Sequence, residues 1–433
     1  MKVISYKDGD YKKSLDLLYN RPACPPEIET AVAAIVSEVR RNGDQAICKF
    51  MKKFDSLDIT PAGFRVTEKE FEEAEEKIDS KAKEAIAAAL KNIQIFASHQ
   101  LPKNWNFSPR PGVVLGEKFT PMDRVGCYIP GGTAPLVSTV LHTAGIAAAA
   151  GVKEIVAATP PMKDGSIHAA TLYALKTAGV KEVYRMGGAY AIAALAYGTD
   201  TVRKVEKIVG PGNAYVAAAK KIVYGSVAID MVAGPSEIMI VADSEANPAF
   251  IAADMLSQAE HGSGLEQAVL VTDCAEIIHQ VKTELLKQAE TLSRNATVER
   301  VLEHGVFFIE AADIDEALVI AGNYAPEHIE IMFKGAEHRA CDVKAAGAVF
   351  LGQWTPEPAG DFTAGPSHVL PTAGTAKFFH GLSANDFMRR SSTVQYTEDA
   401  LMREVDYIEK FAEMEWLDAH GRSGSIRRKG SQK

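Results

Sequence analysis

Apolar positions in about the first hundred residues recur at the spacing of helices. The segment PEIETAVAAIVSEVRRNG ends on Gly43, and the segment TEKEFEEAEEKIDSKAKEAIAAALKNIQIFASH alternates apolar and charged positions. Apolar residues three and four positions apart form one face of an amphipathic helix. The Glu and Lys runs are typical of a solvated face with ion pairs between residues i and i+4. The pattern therefore predicts a helical N-terminal region.

From Val125 onwards, short apolar runs alternate with Ala-rich stretches. The runs RVGCYIPGG and KEIVAATPP flank TAPLVSTVLHTAGIAAAAGV, and the segments KEVYRMGGAYAIAALAYGT and VEKIVGPGNAYVAAAKKIV repeat the pattern. A strand, a helix-sized connection and a second strand indicate parallel strands covered by helices. This region is therefore predicted to be an α/β domain.

A second α/β unit is predicted after the GPSE run. The runs EIMIVAD, QAVLVTD and GVFFIE are typical of buried strands, and NPAFIAADMLSQAEHG is typical of a helix. In that helix, Asn247 is the predicted N-cap, Pro248 the first helical residue and Gly262 the stop. From about Gly381 the chain is again predicted to be helical, as an appendage that contains REVDYIEKFAEMEWLDAH.

Composition narrows the class of protein. Hydrophobic residues make up 47% and charged residues 24% of the 433 residues, as in ordinary globular proteins. The net charge of −9 argues against a nucleic-acid partner, because such binding relies on Lys and Arg. No long apolar run or signal-like start predicts membrane insertion or export. The five scattered cysteines contain no C-x-x-C pair and indicate the reducing cytoplasm.

Three glycine-rich joins lie between predicted strands and helices. They are Gly131-Gly132, Gly187-Gly188 and Gly210-Pro211-Gly212. Glycine lets a backbone approach a pyrophosphate at a helix N-terminus, and such crevices bind ligands in parallel sheets. None of the joins has the G-x-G-x-x-G spacing, so tight strand-to-helix turning is the alternative interpretation of each one.

Two pairs of polar residues are candidates for chemistry in the second α/β unit. Gln258 and His261 lie three residues apart on the predicted helix, Gln258 on its apolar stripe. They are either metal ligands or a hydrogen-bonded core pair. Glu327 and His328 follow Pro326 in YAPEHIEIM. They are either a proton-transfer pair or the solvated end of a strand.

Further candidates lie towards the C-terminus. Asp361 and His368 occur in PAGDFTAGPSHVLPTAGT, whose Gly and Pro content predicts neither a helix nor a central strand. Loops with such residues are candidate sites. Glu415 and His420 lie on or just past a predicted helix, for which a solvated C-terminal helix is the alternative interpretation.

Six strings in order resemble the histidinol dehydrogenase family over nearly the whole chain: RVGCYIPGGTAPLVSTVL, GPGNAYV, DMVAGPSE, LSQAEH, APEHIEI and GDFTAGPSHVLPT. The resemblance implies a homodimer of α/β chains with two incomplete Rossmann-like parallel-sheet domains. The implied divisions are an N-terminal helical segment (1–24), a first α/β domain with the zinc and catalytic residues (25–127 and 236–380), a second NAD-binding domain (128–235) and a C-terminal helical dimerisation extension (381–433).

The resemblance also implies the site residues. The zinc ligands fall on Gln258, His261, Asp361 and His420. The catalytic pair falls on Glu327 and His328, where His takes protons and Glu activates water. Substrate contacts fall on Ser236, Gln258, His261, His328, Asp361, His368, Glu415 and His420, and NAD contacts on Tyr128, Tyr190 and Asn213. Glu415 and His420 are implied to act in the partner subunit's site.

Four residues depart from the family pattern. Tyr190 stands where a Gln usually meets the nucleotide, and Phe362 where a Tyr is usual. Ser367 replaces an Asn before the site His, and Gly262 replaces an Asp after the ligand His. These departures adjoin the cofactor, substrate and metal positions, and so bear on which alcohol is oxidised.

Three functional hypotheses follow. The first is four-electron oxidation of L-histidinol to L-histidine with zinc and two NAD⁺, the last step of histidine biosynthesis. The second is a relative with the same cofactors that oxidises another small polar alcohol, such as a sulfonated diol. The third is a zinc hydrolase or a catalytically silent nucleotide-binding protein, which the complete ligand set disfavours.

Overall fold

The computed structural model describes residues 1–21, 26–131, 135–261 and 263–428. The chain divides into a larger unit, residues 1–100 with 122–387, and a smaller unit, residues 101–121 with 388–433.

The strands are β1 (Lys2–Ser5), β2 (Trp105–Arg110), β3 (Val113–Pro121), β4 (Arg124–Tyr128), β5 (Glu154–Thr159), β6 (Glu182–Arg185), β7 (Lys207–Val209), β8 (Ala228–Ile229), β9 (Glu237–Ala242), β10 (Gln267–Thr272), β11 (Val306–Glu310), β12 (His328–Met332), β13 (Ala348–Leu351) and β14 (Met388–Tyr396).

The α-helices are α1 (Tyr11–Tyr19), α2 (Pro26–Phe50), α3 (Glu68–Glu76), α4 (Ser80–His99), α5 (Val137–Val140), α6 (Ile146–Ala149), α7 (Ala169–Thr177), α8 (Gly188–Tyr197), α9 (Ala214–Val223), α10 (Pro248–Ala259), α11 (Ala275–Ala289), α12 (Asn295–His304), α13 (Ile314–Tyr324), α14 (Glu357–Phe362), α15 (Glu398–Met402), α16 (Val405–Met414) and α17 (Asp418–Ser425). Two π-helical turns, Met51–Asp55 and Leu141–Gly145, follow α2 and α5.

A six-stranded parallel sheet in the order β1-β11-β10-β9-β12-β13 forms one core of the larger unit. Alternate side chains of its central strand β9 enter opposite cores, because successive residues of a strand point to opposite faces. Ile238 and Ile240 pack with α10, α11 and α12, whereas Met239 and Val241 pack with α1 and α13. Both faces are therefore covered, as the continuous apolar runs predict.

A five-stranded parallel sheet in the order β6-β5-β4-β7-β8 forms the other core of this unit. Its loop at Gly210 needs glycine, since φ is +120° and a Cβ atom would lie 2.1 Å from the carbonyl oxygen of Tyr128. A buried pair holds this turn: Lys220 Nζ donates to the Gly210 carbonyl at 3.0 Å, and Asp230 accepts from the Gly210 N–H at 2.7 Å. Lys220 and Asp230 also form an ion pair.

The smaller unit contains an antiparallel sheet in the order β14-β3-β2 and the helices α15, α16 and α17. Arg110 joins its strands to its helices through a donated bond to Glu404 at 2.6 Å and another to the Tyr396 hydroxyl at 2.7 Å. Tyr396 in turn donates to Glu404 at 2.9 Å.

The predicted α/β fold with two parallel-sheet regions is confirmed, and its domain boundaries stay predictions. Three details differ from the sequence analysis. Residues 1–24 contain α1 but begin with a strand, and residues 381–433 contain β14 before their helices. Asp361 lies on a short helix, α14, although its segment was expected to be irregular. Among the described helices, none has the length and apolarity that a membrane span requires.

Candidate active site

The candidate site lies at the amino ends of β9 and β12 in the six-stranded sheet. Glu237 and His328 are the first residues of these two neighbouring strands. Helix α10 follows β9 and runs back across the sheet, so its C-terminal end returns to the edge where β9 begins. The catalytic candidates therefore meet at the amino edge of this sheet, although ligands in such sheets more often bind at the carboxyl edge.

Helix α10 brings Gln258 and His261 to this edge. Asn247 caps the helix by accepting the Ala249 N–H at 2.9 Å, and Pro248 is its first residue, as predicted. The predicted stop, Gly262, lies outside the described residues. Gln258 is fully buried, whereas His261 is exposed just beyond the helix, where its N–H reaches the Gln258 carbonyl at 3.4 Å.

The main chain of Glu237 holds both members of the predicted catalytic pair. Its N–H donates to Glu327 Oε2 at 3.0 Å, and its carbonyl accepts from His328 Nδ1 at 3.2 Å. The latter bond places the neutral imidazole proton on Nδ1, which leaves Nε2 as the basic nitrogen. Nε2 lies 3.7 Å from Glu357 Oε1 and 3.8 Å from Asp361 Oδ1.

Burial sets the protonation of this pair. It lowers the pKa of His328 to about 3, with the neighbouring His261 acting in the same direction and the Glu237 carbonyl opposing it. Burial also raises the pKa of Glu327 well above its ordinary value, and the negative charges of Asp361, Glu237 and Glu357 add to this rise. His328 is therefore a neutral imidazole, while Glu327 ionises only above the usual carboxyl range.

The side chain of Glu237 is anchored by Arg21. Arg21 Nη1 lies 2.6 Å from Glu237 Oε1, and its guanidinium lies 3.6 Å from the ring centroid of Tyr324. Arg21 also donates to the Tyr324 carbonyl. Tyr324 ends α13, and Ala325 adopts a left-handed conformation with φ of 53° before Pro326. The N-terminal segment therefore braces the loop that leads into Glu327.

Helix α14 supplies Asp361 and a second carboxylate that the sequence analysis missed. Glu357 precedes Asp361 by one helical turn, so both side chains lie on the same face. Donor atoms of His261, Glu357 and Asp361 all lie within 4.8 Å of one another, which suits a metal ion. Burial raises the pKa of Glu357 to about 8 and that of Asp361 to about 6, and the negative charge of Asp361 adds to the rise at Glu357.

Several buried polar atoms in this cluster have no hydrogen-bond partner in the described part of the chain. They are Gln258 Nε2, His328 Nε2, Glu357 Oε1 and His368 Nε2. An unsatisfied buried polar atom costs on the order of 1–3 kcal/mol, so such atoms are normally explained by a ligand or ion. Zinc accepts nitrogen and oxygen ligands, and the imidazole and carboxylate donors present fit it.

Two more buried carboxyls lie on β12 and α10, the elements that also carry His328 and Gln258. Glu330, two residues after His328, accepts the Glu357 N–H at 2.7 Å at the start of α14. Its carboxyl is also hydrogen-bonded to Asp254, one turn before Gln258 on α10. A sequence signal existed, because Asp254 and Glu357 each precede a predicted ligand by four residues. The sequence alone did not indicate that these carboxyls lie close together, because their contact depends on how the strands and helices are arranged.

The remaining substrate candidates lie in two places. His368 is near the cluster, with Nδ1 3.8 Å from Asp361 Oδ1, and Ser236 immediately precedes β9. Phe362 is exposed at the end of α14. Glu415 and His420 belong to the smaller unit, where Glu415 is the C-cap of α16, His420 lies on α17 and both are exposed.

The predicted NAD residues lie at the carboxyl edge of the five-stranded sheet. The Tyr128 hydroxyl accepts the Gly188 N–H at 2.9 Å, and Asn213 caps α9 by accepting the Tyr215 N–H at 3.0 Å. Tyr190 is buried: its hydroxyl accepts the Gly187 N–H at 3.2 Å and donates to Asp55 at 2.5 Å. The join at Gly131-Gly132 is described only as far as Gly131.

A parallel α/β fold that places a buried Glu–His pair beside a metal-suited cluster has the arrangement of an α/β enzyme. The family model described as histidinol dehydrogenase matches residues 21–428. The chain is 45% identical to histidinol dehydrogenase of Bacillus subtilis, over 95% of this chain and 94% of that protein. It is 42% identical to that of Methanothermobacter thermautotrophicus, over 98% of each. The crystal structure of histidinol dehydrogenase from Elizabethkingia anophelis has a TM-score of 0.93 at 35% identity, over 100% of this chain and 99% of that one. The chain belongs to the histidinol dehydrogenase family and is an oxidoreductase.

Replacing His261 with Asn is expected to weaken Zn²⁺ binding by at least about tenfold, because one nitrogen donor of the cluster is lost. The thermal midpoint of the metal-free protein should stay unchanged, since His261 is exposed beyond α10. Chelator competition measures the affinity. His304→Asn, at an exposed histidine on α12, is the control. Equal zinc affinity in the two variants would contradict the assignment.

Proposed function

We propose that this enzyme oxidises L-histidinol through L-histidinal to L-histidine, with zinc and two molecules of NAD⁺. The arrangement of Glu327 and His328 carries the proposal: the Glu237 main chain holds both residues, and the basic Nε2 of His328 points towards a metal-suited cluster. Family membership supports the alcohol and the reaction. When bound, zinc supplies a Lewis acid that orients the amino and imidazole groups of the substrate, and NAD⁺ accepts a hydride in each oxidation.

Zinc binding is assigned to Gln258, His261, Asp361 and His420. The first three are supported by their placement around the buried cluster at the end of α10 and on α14. Glu357 lies close enough to His261 and Asp361 to hydrogen-bond a ligand and fix its orientation. In the same proposal, Ser236, His368 and Glu415 contact the substrate.

His328 acts as the base in both oxidations. Its Nε2 takes the proton of the alcohol hydroxyl as the carbon loses a hydride, and later the proton of the aldehyde hydrate. The Nδ1–H bond to the Glu237 carbonyl keeps the ring in the required tautomer. Because His328 is neutral through burial, it begins each oxidation ready to accept a proton.

Glu327 acts on water between the two oxidations. An ionised carboxylate accepts a proton from water as the oxygen adds to the aldehyde carbon, and return of that proton to the former aldehyde oxygen completes the hydrate. The Glu237 N–H holds one carboxylate oxygen and leaves the other for water. In total, the alcohol and one water lose two hydrides to NAD⁺ and three protons, and give the carboxylate.

NAD⁺ is assigned to the carboxyl edge of the five-stranded sheet, near Tyr128, Tyr190 and Asn213. Asn213 is exposed beside the Gly210-Pro211-Gly212 turn, which supports a direct contact. Tyr190 is only 2% exposed, so its role is to hold the start of α8 through the Gly187 N–H.

A homodimer is also part of the proposal, with Glu415 and His420 completing the site of the other subunit. The exposed face of α16 supports a protein partner, because Tyr407, Phe411 and Met414 recur at helical spacing on it. Trp416, 91% exposed, extends this apolar surface. An interface of this kind between two copies would be isologous.

Purified zinc-loaded enzyme is expected to form two NADH for each L-histidine from L-histidinol and NAD⁺. Absorbance of NADH and chromatography of the amino acid give the ratio. A sulfonated diol is the comparison substrate, because its anionic group would add a further negative charge beside the buried carboxyls of Glu327, Glu357 and Asp361. Turnover of the diol without turnover of histidinol would reject the proposed substrate.

Glu327→Gln is expected to slow oxidation of L-histidinal at least about a hundredfold while alcohol oxidation falls much less, because only the aldehyde half needs activated water. Stopped-flow measurement of each half separates them. In the parent enzyme the aldehyde half should accelerate as pH rises, since the raised pKa of Glu327 delays its ionisation. The Gln variant should lose this dependence. Equal slowing of both halves would refute the division of roles.

Mixing two inactive variants tests whether subunits share the site. Co-refolding His261→Asn with His420→Asn chains should place both lesions in one site of each mixed dimer and leave the other intact. Random pairing makes about half of the dimers mixed, so roughly a quarter of full activity should return. Each variant refolded alone is the control. No recovery in confirmed mixed dimers would show that His420 serves its own chain.

A further inference from the structure

The imidazole of His142 is buried beside the site and has no part in the reaction described above. Its ring centroid lies 4.5 Å from that of His368, and the ring planes are tilted by 43°. His142 is fully buried, and neither ring nitrogen has a hydrogen-bond partner in the described part of the chain. Packing alone does not account for this, because a structural histidine in a core normally has its nitrogens satisfied.

The local backbone holds His142 next to the loop that carries His368. His142 lies in the π-helical turn Leu141–Gly145, and π turns inside helices occur frequently at functional sites. Thr143 Oγ1 bonds back to the Thr139 carbonyl at 2.6 Å within this turn. Ser367 Oγ donates to the His142 carbonyl at 3.2 Å and accepts the Val369 N–H at 3.1 Å. The two segments are therefore joined by the hydrogen bond from the Ser367 side chain to the His142 carbonyl and by contact between the tilted rings.

The unsatisfied nitrogens of His142 adjoin the unsatisfied atoms of the site. His368 Nε2 also lacks a partner. The main chain of Asp361 lies close enough to the His142 ring to oppose the lowering of the His142 pKa by burial, but it completes no well-formed hydrogen bond with either ring nitrogen. Each neutral imidazole offers one N–H donor and one bare nitrogen acceptor. The pair can therefore complement a neutral group that has both a donor and an acceptor. An anionic group would instead meet the carboxyls of Glu357 and Asp361.

We propose that His142 is a further substrate-contact residue which, together with His368, selects a neutral donor–acceptor group such as an imidazole ring. The inference rests on the proposed function for the identity of the alcohol, because histidinol carries such a ring. It adds a specificity-determining residue from the π-helical turn, outside the set of ligands and catalytic groups described above.

Equilibrium binding without NAD⁺ tests this role, since no turnover then occurs. The variant is His142→Phe, which keeps an aromatic ring and removes both nitrogens. Thr143→Val, at the adjacent buried polar residue of the same turn, is the matched control. Calorimetric titrations use zinc-loaded protein and two probes, L-histidinol and imidazole. We expect His142→Phe to bind both probes at least about tenfold more weakly, as loss of a buried hydrogen bond predicts. Thr143→Val should stay within about twofold, with unchanged zinc content in both variants.

The outcomes separate this inference from the proposed function. If His142→Phe binds both probes as the parent enzyme does, the inference is overturned even when histidinol is oxidised. Parent enzyme that binds neither probe also overturns it. If the parent does not oxidise histidinol, but binds imidazole and loses that affinity in His142→Phe, the proposed substrate fails and the inference stands.

A second pair of variants covers failure of His142→Phe to fold. His142→Gln keeps one donor and one acceptor, whereas His142→Leu has neither. The Gln variant should bind imidazole more tightly than the Leu variant, and equal affinities would overturn the inference.

Discussion

The parallel pairing of β9 with β12 is the constraint on which the candidate site depends. Its register sets His328 opposite Ile238, and thereby brings the main chain of Glu237 to Glu327 and to His328 together. The Glu237 N–H holds the Glu327 carboxylate, and the Glu237 carbonyl selects the tautomer of the His328 imidazole. A one-residue slip would turn these side chains to opposite faces of the sheet. The acid–base pair is thus positioned by the sheet ladder, which is far stiffer than a loop.

The second constraint is the number of carboxyls buried at this edge. Glu237 and Glu357 lie beside the pair, Glu330 follows it on β12, and Asp254 interacts with Glu330; burial raises the pKa of each of these carboxyls. Isolated buried charges are costly, so burial favours the protonated forms of these carboxyls, and the Arg21 guanidinium offsets the charge of Glu237. A divalent cation at the cluster would replace some of those protons. Metal binding at this cluster would therefore be coupled to proton release.

Local patterns in the sequence were sufficient for much of the fold. The apolar runs EIMIVAD and QAVLVTD appear as β9 and β10, and Asn247 with Pro248 begins α10 as the capping pattern indicates. The N-terminal strand was missed because KVIS is short, and α14 because glycine and proline in its segment outweighed a weak helical signal. The antiparallel pairing of β14 with β3 depends on contacts between distant segments, which periodicity does not reveal.

The site was predictable only in part for the same reason. Glu327, His328, Gln258 and Asp361 lie in recognisable strings, so the resemblance assigned them to the site. Glu237 and Glu330 lie in the same strings but were assigned no role, and His142 lies just beyond one of them. Their importance comes from which strands are neighbours and from the π-helical turn, and both are properties of the folded chain.

Because Arg21 contacts Glu237, the order in which the chain is synthesised affects when the candidate site is fully formed. Arg21 leaves the ribosome long before Glu237 and Tyr324, its two partners, and β1 likewise waits for β11. Contacts between such distant segments form late, because closing a long loop is entropically costly. The central strands of the sheet can therefore pair before the N-terminal segment packs against them. The contact of Arg21 with Glu237 and with the Tyr324 carbonyl can therefore form only after the residues up to Tyr324 have been synthesised, although Arg21 itself lies near the start of the chain.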